Sequence, residues 1–97
     1  MNAGRPIALF FDAIKNDPRI GLSHIGLFAV LVRYWQQLGY PEWISAYSHE
    51  LLPLAKVSST TFHRCIRDLC DFGYIDYRPS FKRNERSKII LKYEEEK

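Results

Sequence analysis

The segment from Ser23 to Leu38 is apolar almost all the way round a helix, and it constrains the fold more than any other part of the chain. Ser23 suits the N-cap position, and Gly39 follows where a helix commonly ends. A helix without a clear polar face is buried on more than one side. In a chain of 97 residues, it is either the central helix of one small domain or it also contacts a second subunit, and we expect a homodimer.

Two further helices are predicted on either side of this segment. The first covers residues 7–15 with Pro6 at its first position, and its apolar residues recur at helical spacing, namely Ile7, Phe10, Phe11 and Ile14. The other lies within residues 45–56, where Pro53 is expected to kink the helix, delay its start or break it. Its apolar face is expected to comprise Leu51, Leu52, Leu54 and Ala55.

The C-terminal half has the order helix, short turn, helix, glycine, strand, loop and strand. Ser58 or Ser59 suits the N-cap of a helix that runs to about Phe72, and Gly73 stands where that helix should end. Residues 74–78 and 88–93 predict two antiparallel strands joined by a polar, basic loop over residues 80–87. Trp43-Ile44 is a candidate for a further short strand, and both tryptophans, Trp35 and Trp43, are expected in the core.

This order of elements is the plan of a winged helix-turn-helix. The predicted fold class is therefore α+β, mainly α, with about four helices and a C-terminal β-hairpin wing. We expect one domain over residues 1–97, with N-terminal helices over 6–39, the helix-turn-helix over about 46–72 and the wing hairpin over 74–93.

The basic residues are concentrated in one part of the chain. The formal net charge is +3, but residues 56–92 hold nine basic and four acidic residues, whereas the charges of residues 1–55 balance. A basic region of this kind favours nucleic acid as a partner, and an ordinary solvated face is the alternative explanation.

The outward face of the helix over residues 59–72 is found by removing the positions expected in the core, which are Phe62, Ile66, Leu69 and either Cys65 or Phe72. The remaining residues of its N-terminal half and one side are Ser59, Thr60, His63, Arg64 and Arg67. Arginine pairs with guanine or with phosphate, and hydroxyls and free N–H groups at a helix start bind phosphate. Asp68 and Asp71 are also expected to face outward and would repel DNA, so that end of the helix should tilt away.

The predicted wing carries the second group of candidate contacts. Lys82, Arg83 and Arg86 are expected at its tip, and Arg78 and Lys88 at its base. A basic loop suits phosphate or minor-groove contact, and an ordinary solvated hairpin is the alternative. Because a basic helix face and a basic wing adjoin in one predicted motif, we expect the chain to bind double-stranded DNA.

The stretch from Ser58 to Leu91, SSTTFHRCIRDLCDFGYIDYRPSFKRNERSKIIL, resembles the recognition helix, strand and wing of bacterial winged-helix regulators. Within it, LCDFGYI matches the leucine, glycine and Tyr-Ile pattern that those families often carry. The stretch also resembles small winged-helix proteins of bacterial mobile elements and the N-terminal domains of phage replication proteins. The resemblance implies base or phosphate contact by Thr60, His63, Arg64 and Arg67, and DNA-backbone contact by Lys82, Arg83 and Arg86, whereas Pro53 departs from the usual pattern.

Other classes of function lack their sequence signatures. No pair of histidines has the spacing of a zinc site, no CxxC occurs, and no phosphate-binding loop or nucleophile motif is present. Cys65 and Cys70 lie on one predicted helix and are expected to be reduced. We therefore expect no enzyme activity, no metal or other cofactor, no small-molecule ligand and no membrane segment, and a cytoplasmic location.

Three functions remain open from the sequence. The first is a small DNA-binding transcriptional regulator that acts as a homodimer on a two-fold site. The second is a protein-interaction module, since winged-helix domains also use the same helix face for other partners. The third is an accessory factor for replication or recombination of a mobile element, which would also bind DNA.

Overall fold

The computed structural model of the protein describes residues 4–79 and 86–92. Within these ranges the chain forms four helices and three strands, which are α1 (Gly4–Ile14), α2 (Leu22–Gln37), β1 (Ile44–Ala46), α3 (Ser48–Ala55), α4 (Ser59–Asp71), β2 (Ile75–Arg78) and β3 (Ser87–Leu91). The predicted class, α+β and mainly α, is confirmed. None of the described helices is long and apolar enough to cross a bilayer. The predicted wing tip at Lys82 and Arg83 and the predicted strand end at Tyr93 lie outside the described residues.

α2 is the central helix. Its buried apolar residues are Leu27, Phe28, Leu31, Val32 and Trp35. α1, α3 and α4 all pack against it, and the ring of Phe28 stacks on that of Phe10 in α1, with centroids 4.0 Å apart. Ala29, Arg33 and Gln36 are exposed on the remaining side. The chain itself therefore covers most of the circumference of this helix.

The start of α2 differs from the prediction, because Gly21 and not Ser23 is the N-cap. The backbone N–H of Gly21 donates to Nδ1 of His24 at 3.0 Å, so this histidine has the role that Glu or Gln has in a capping box. Ser23 lies inside the first turn. At the other end, Gly39 follows the C-cap with φ +86, a conformation that glycine adopts without strain.

Prolines lie inside two of the helices. α1 begins at Gly4, before the predicted start, so Pro6 lies in the first turn, where its missing N–H would have no partner within the helix. α3 runs from Ser48 to Ala55, within the predicted range of residues 45–56, and includes Pro53 near its end. Because α3 ends at Ala55, Pro53 removes a hydrogen bond from the last part of a short helix. Leu54 does not join the predicted apolar face, since its side chain is 48% exposed.

α4 follows its sequence signals closely. Oγ of Ser58 accepts a hydrogen bond from the backbone N–H of Thr61 at 3.1 Å, which is the N-cap that serine favours. The inward face comprises Phe62, Cys65, Ile66 and Leu69, all buried. Gly73 has φ +90 after the last turn, as its predicted role in ending the helix requires. Cys65 and Cys70 are both free thiols, as predicted.

The strands form one antiparallel sheet in the order β1–β3–β2. Ile44 of β1 and Tyr77 of β2 both lie opposite Ile89 of the middle strand. Ile44, Ile75 and Ile89 are buried on the inner face. Since side chains alternate between the faces of a strand, Trp43 does not share the inner side of Ile44, and its side chain is 39% exposed rather than in the core.

Candidate nucleic-acid interface

The surface row of α4 is formed by residues at helical spacing on the side opposite its buried face. Thr60, Arg64, Arg67 and Asp71 are three or four positions apart, and all four are exposed. Ser59 is exposed at the start of the helix. The N–H groups of Ser59 and Thr60 belong to the first turn, so they have no carbonyl partner within the helix and point toward any anion placed there.

The two arginines of this row are Arg64, whose Nη2 lies 3.9 Å from Sγ of Cys65, and Arg67. Within residues 4–79 and 86–92, no carboxylate forms an ion pair with Arg64 or Arg67. Both guanidinium groups are therefore available to pair with phosphate or with the base edge of guanine without first breaking an ion pair.

His63 is less available than its predicted role implies. Its side chain is half-buried, and its ring meets the edge of the Phe62 ring with centroids 5.2 Å apart. His63 therefore lies at the edge of the exposed face of α4 rather than at its centre.

Asp68 does not face outward as predicted. Its Oδ2 lies 2.9 Å from Nε2 of His24 in α2, because the α2 and α4 helices pack together at this level. Asp71 is exposed, as predicted. Of the two carboxylates that were predicted to repel DNA, only that of Asp71 is therefore exposed on the row.

Arg78 and Lys88, which were predicted at the base of a wing, lie on neighbouring strands of the sheet. Arg78 of β2 lies opposite Lys88 of β3 in the sheet register, and both are exposed. Nζ of Lys88 lies 4.9 Å from the centre of the Trp43 ring, and Arg78 Nη2 lies 3.9 Å from Oδ2 of Asp76. The outer face of the sheet thus presents a pair of cations beside an exposed aromatic ring.

Arg86 lies at the base of the hairpin rather than at its tip. It directly precedes β3, and its Nε lies 3.5 Å from Oε1 of Glu50 in α3. Its guanidinium also lies 4.8 Å from the centre of the Tyr47 ring. The backbone N–H of Tyr47, more than Arg86, holds the pKa of Glu50 below its usual range, so Glu50 is ionised at neutral pH and partly balances the charge of Arg86.

Lys56 is a cation near this surface that the sequence reasoning did not select. It is exposed in the turn between α3 and α4, with φ 58, and its N–H donates to the carbonyl of Leu52 at 3.3 Å. A basic residue two positions before an N-cap serine is the signal that would have indicated it. Among the described residues, no group of three or more His, Cys, Asp or Glu side chains has the arrangement of a metal site.

Comparison with models of known protein families, with curated proteins and with solved structures found no match.

Proposed function

We propose that this protein binds double-stranded DNA by placing α4 in the major groove, with the cations of the hairpin on the DNA backbone. The observation that carries this proposal is the exposed row of α4, on which Arg64 and Arg67 lie without a carboxylate partner in the described structure. A helix with its side chains is roughly 10–12 Å across, and the major groove of B-DNA is about 12 Å wide.

Polar and basic groups around the exposed row of α4 support the same proposal. Ser59 and Thr60 supply hydroxyls and N–H groups for a phosphate at the helix start. Arg78 and Lys88 supply cations at the hairpin base, and the sequence between β2 and β3 contains two more, Lys82 and Arg83. Such a division, with arginines on a helix for bases and cations elsewhere for the backbone, gives both affinity and specificity. We propose that the biological role is that of a small transcriptional regulator acting as a homodimer.

The test is the binding of the purified protein to a labelled random DNA duplex, measured by fluorescence anisotropy over a salt series from about 50 to 200 mM. We expect the logarithm of the affinity to fall linearly with the logarithm of the salt concentration, by about 0.9 per phosphate contacted. Absence of binding at the low end of the series would contradict the proposal and favour the protein-interaction module.

Variants that lack one basic residue at the hairpin base can be compared with one another in the same salt series. Replacing Lys88 by alanine should reduce the salt slope by about one unit, because Lys88 has no carboxylate partner among the described residues. Replacing Arg78 or Arg86 should reduce it by less in each case, because Asp76 and Glu50 already balance part of those charges. Selection from a random duplex library then separates a regulator, which enriches one motif, from a protein that binds any sequence.

A further inference from the structure

His24 uses both of its ring nitrogens, and it is buried, with 7% of its surface exposed. Nδ1 accepts the N–H of Gly21 at 3.0 Å, and Nε2 lies 2.9 Å from Oδ2 of Asp68. Because Nδ1 faces a donor, the neutral ring carries its proton on Nε2 and donates it to the Asp68 carboxylate. His24 therefore joins the N-terminus of α2 to a residue 44 positions later, on α4.

Asp68 is also a close neighbour of the exposed arginines along α4. It follows Arg64 by four positions, and residues at that spacing are about 5–6 Å apart at Cβ, within reach of an ion pair. In the structure the carboxylate is bound to His24 instead, and Arg64 has no ion pair with it. The Asp68 carboxylate thus contacts a histidine on α2 rather than the arginine on its own helix.

We propose that His24 is a positioning residue that holds the Asp68 carboxylate away from Arg64 and so leaves the Arg64 guanidinium free for DNA. This inference rests on the proposed function. Without the His24 donor, the Asp68 side chain would turn toward Arg64, where it would neutralise the guanidinium and repel the phosphates that approach it. His24 then acts on DNA affinity through Asp68 and makes no contact with DNA itself.

Two substitutions of His24 separate its two hydrogen bonds. In His24→Asn, the amide oxygen takes the place of Nδ1, so the acceptor for Gly21 is kept and the donor to Asp68 is lost. In His24→Gln, the amide nitrogen takes the place of Nε2, so the donor to Asp68 is kept and the Gly21 acceptor is lost. Each variant loses one hydrogen bond, and we expect similar losses of thermal stability from the two.

DNA affinity is expected to separate the two variants. His24→Asn should weaken binding by roughly tenfold, the size of a lost arginine contact. His24→Gln should bind within about twofold of the unaltered protein. If both variants weaken DNA binding equally, or neither does, while the unaltered protein binds DNA, the inference is wrong and the proposed function stands. If the unaltered protein does not bind DNA, the proposed function itself has failed.

A second substitution provides the rescue. Adding Asp68→Asn to His24→Asn removes the released negative charge and should restore the affinity to within about twofold of the unaltered protein. Asp68→Asn in the unaltered protein is the matched control, since His24 holds the carboxylate there and its removal should change the affinity by less than about twofold. An equal gain from Asp68→Asn in both backgrounds would indicate a general charge effect and overturn the inference.

A variant that leaves His24 intact covers the case in which His24→Asn does not fold. Asp68→Asn alone removes the carboxylate charge and keeps an amide oxygen that accepts a hydrogen bond from Nε2 of His24. We expect it to change DNA affinity by less than Asp71→Asn, because Asp71 is exposed on the row whereas the Asp68 carboxylate is bound to His24. Equal affinities for these two variants would contradict the inference.

Discussion

The phenol of Tyr74 donates a hydrogen bond of 2.6 Å to Oδ2 of Asp17, which joins the residue before β2 to the loop between α1 and α2. Arg19 donates to the same carboxylate from Nε at 2.8 Å and from Nη2 at 2.9 Å. The Arg19 guanidinium also lies over the ring of Phe72, 3.9 Å from its centre. Asp17 thus fixes the α1–α2 loop against the C-terminal end of α4, and the stability of that end should depend on it.

Tyr74→Phe tests the contribution of this hydrogen bond. The substitution keeps the ring, which packs edge-on against Phe10 with centroids 5.3 Å apart, and removes the hydroxyl alone. We expect the free energy of unfolding, measured with urea, to fall by about 1 kcal/mol. Tyr34→Phe is the control, because its hydroxyl has no hydrogen bond among the described residues, and it should leave the urea midpoint nearly unchanged. Equal losses from both variants would contradict this assignment.

Acid should destabilise the protein through Asp17. The hydrogen bonds from Arg19, and then that from Tyr74, hold the pKa of Asp17 well below its ordinary value. A depressed pKa in the folded state contributes stability that is fully present above the ordinary aspartate pKa of about 4 and is lost as the pH falls toward the folded-state pKa. Urea midpoints measured from about pH 7 down to 2 should therefore decline below about pH 4. Asp17→Asn should have a shallower decline, and an unchanged profile would argue against Asp17 as a source of the acid sensitivity.

Leu69→Ala tests the contact between α4 and the core. Leu69 has no exposed surface, and truncating a fully buried leucine costs about 2–5 kcal/mol because a cavity remains. Urea unfolding should show a loss in this range, or the variant should fail to fold. Leu22→Ala is the matched control, since Leu22 is 85% exposed, and it should change the unfolding free energy by less than about 0.5 kcal/mol.

The arginines of the exposed row should carry sequence preference. Arg64→Ala and Arg67→Ala are each expected to cost about 1–3 kcal/mol of binding free energy with a selected duplex and to relax specificity at one position if that arginine contacts a base. Arg33→Ala removes a charge from the exposed side of α2, where Arg33 bonds to Gln36, and serves as the control. Binding of Arg64→Ala and Arg67→Ala that equals that of Arg33→Ala would remove α4 from the proposed interface.

The parts of the candidate site that sequence reasoning predicted are those set by local spacing. Exposure of Ser59, Thr60, Arg64 and Arg67 follows from the helical repeat, since the buried residues of α4 fix which side faces outward. Asp68 was wrongly placed because its position depends on His24 of another helix, which no local pattern indicates. Arg86 was wrongly placed because β3 begins at Ser87, earlier than predicted, and no local pattern indicates its contact with Glu50.

The helices, most of their ends and the two C-terminal strands could be predicted from local signals in the chain. Helical periodicity, the Ser58 cap and the positive φ of Gly73 act over a few residues, so local signals suffice to predict them. The pairing of β1 with β3, the exposure of Trp43 and the contact of His24 with Asp68 are known only from the three-dimensional structure. These are contacts between residues far apart in the chain, and they form because the buried faces of α2, α4 and the sheet pack together in one particular arrangement.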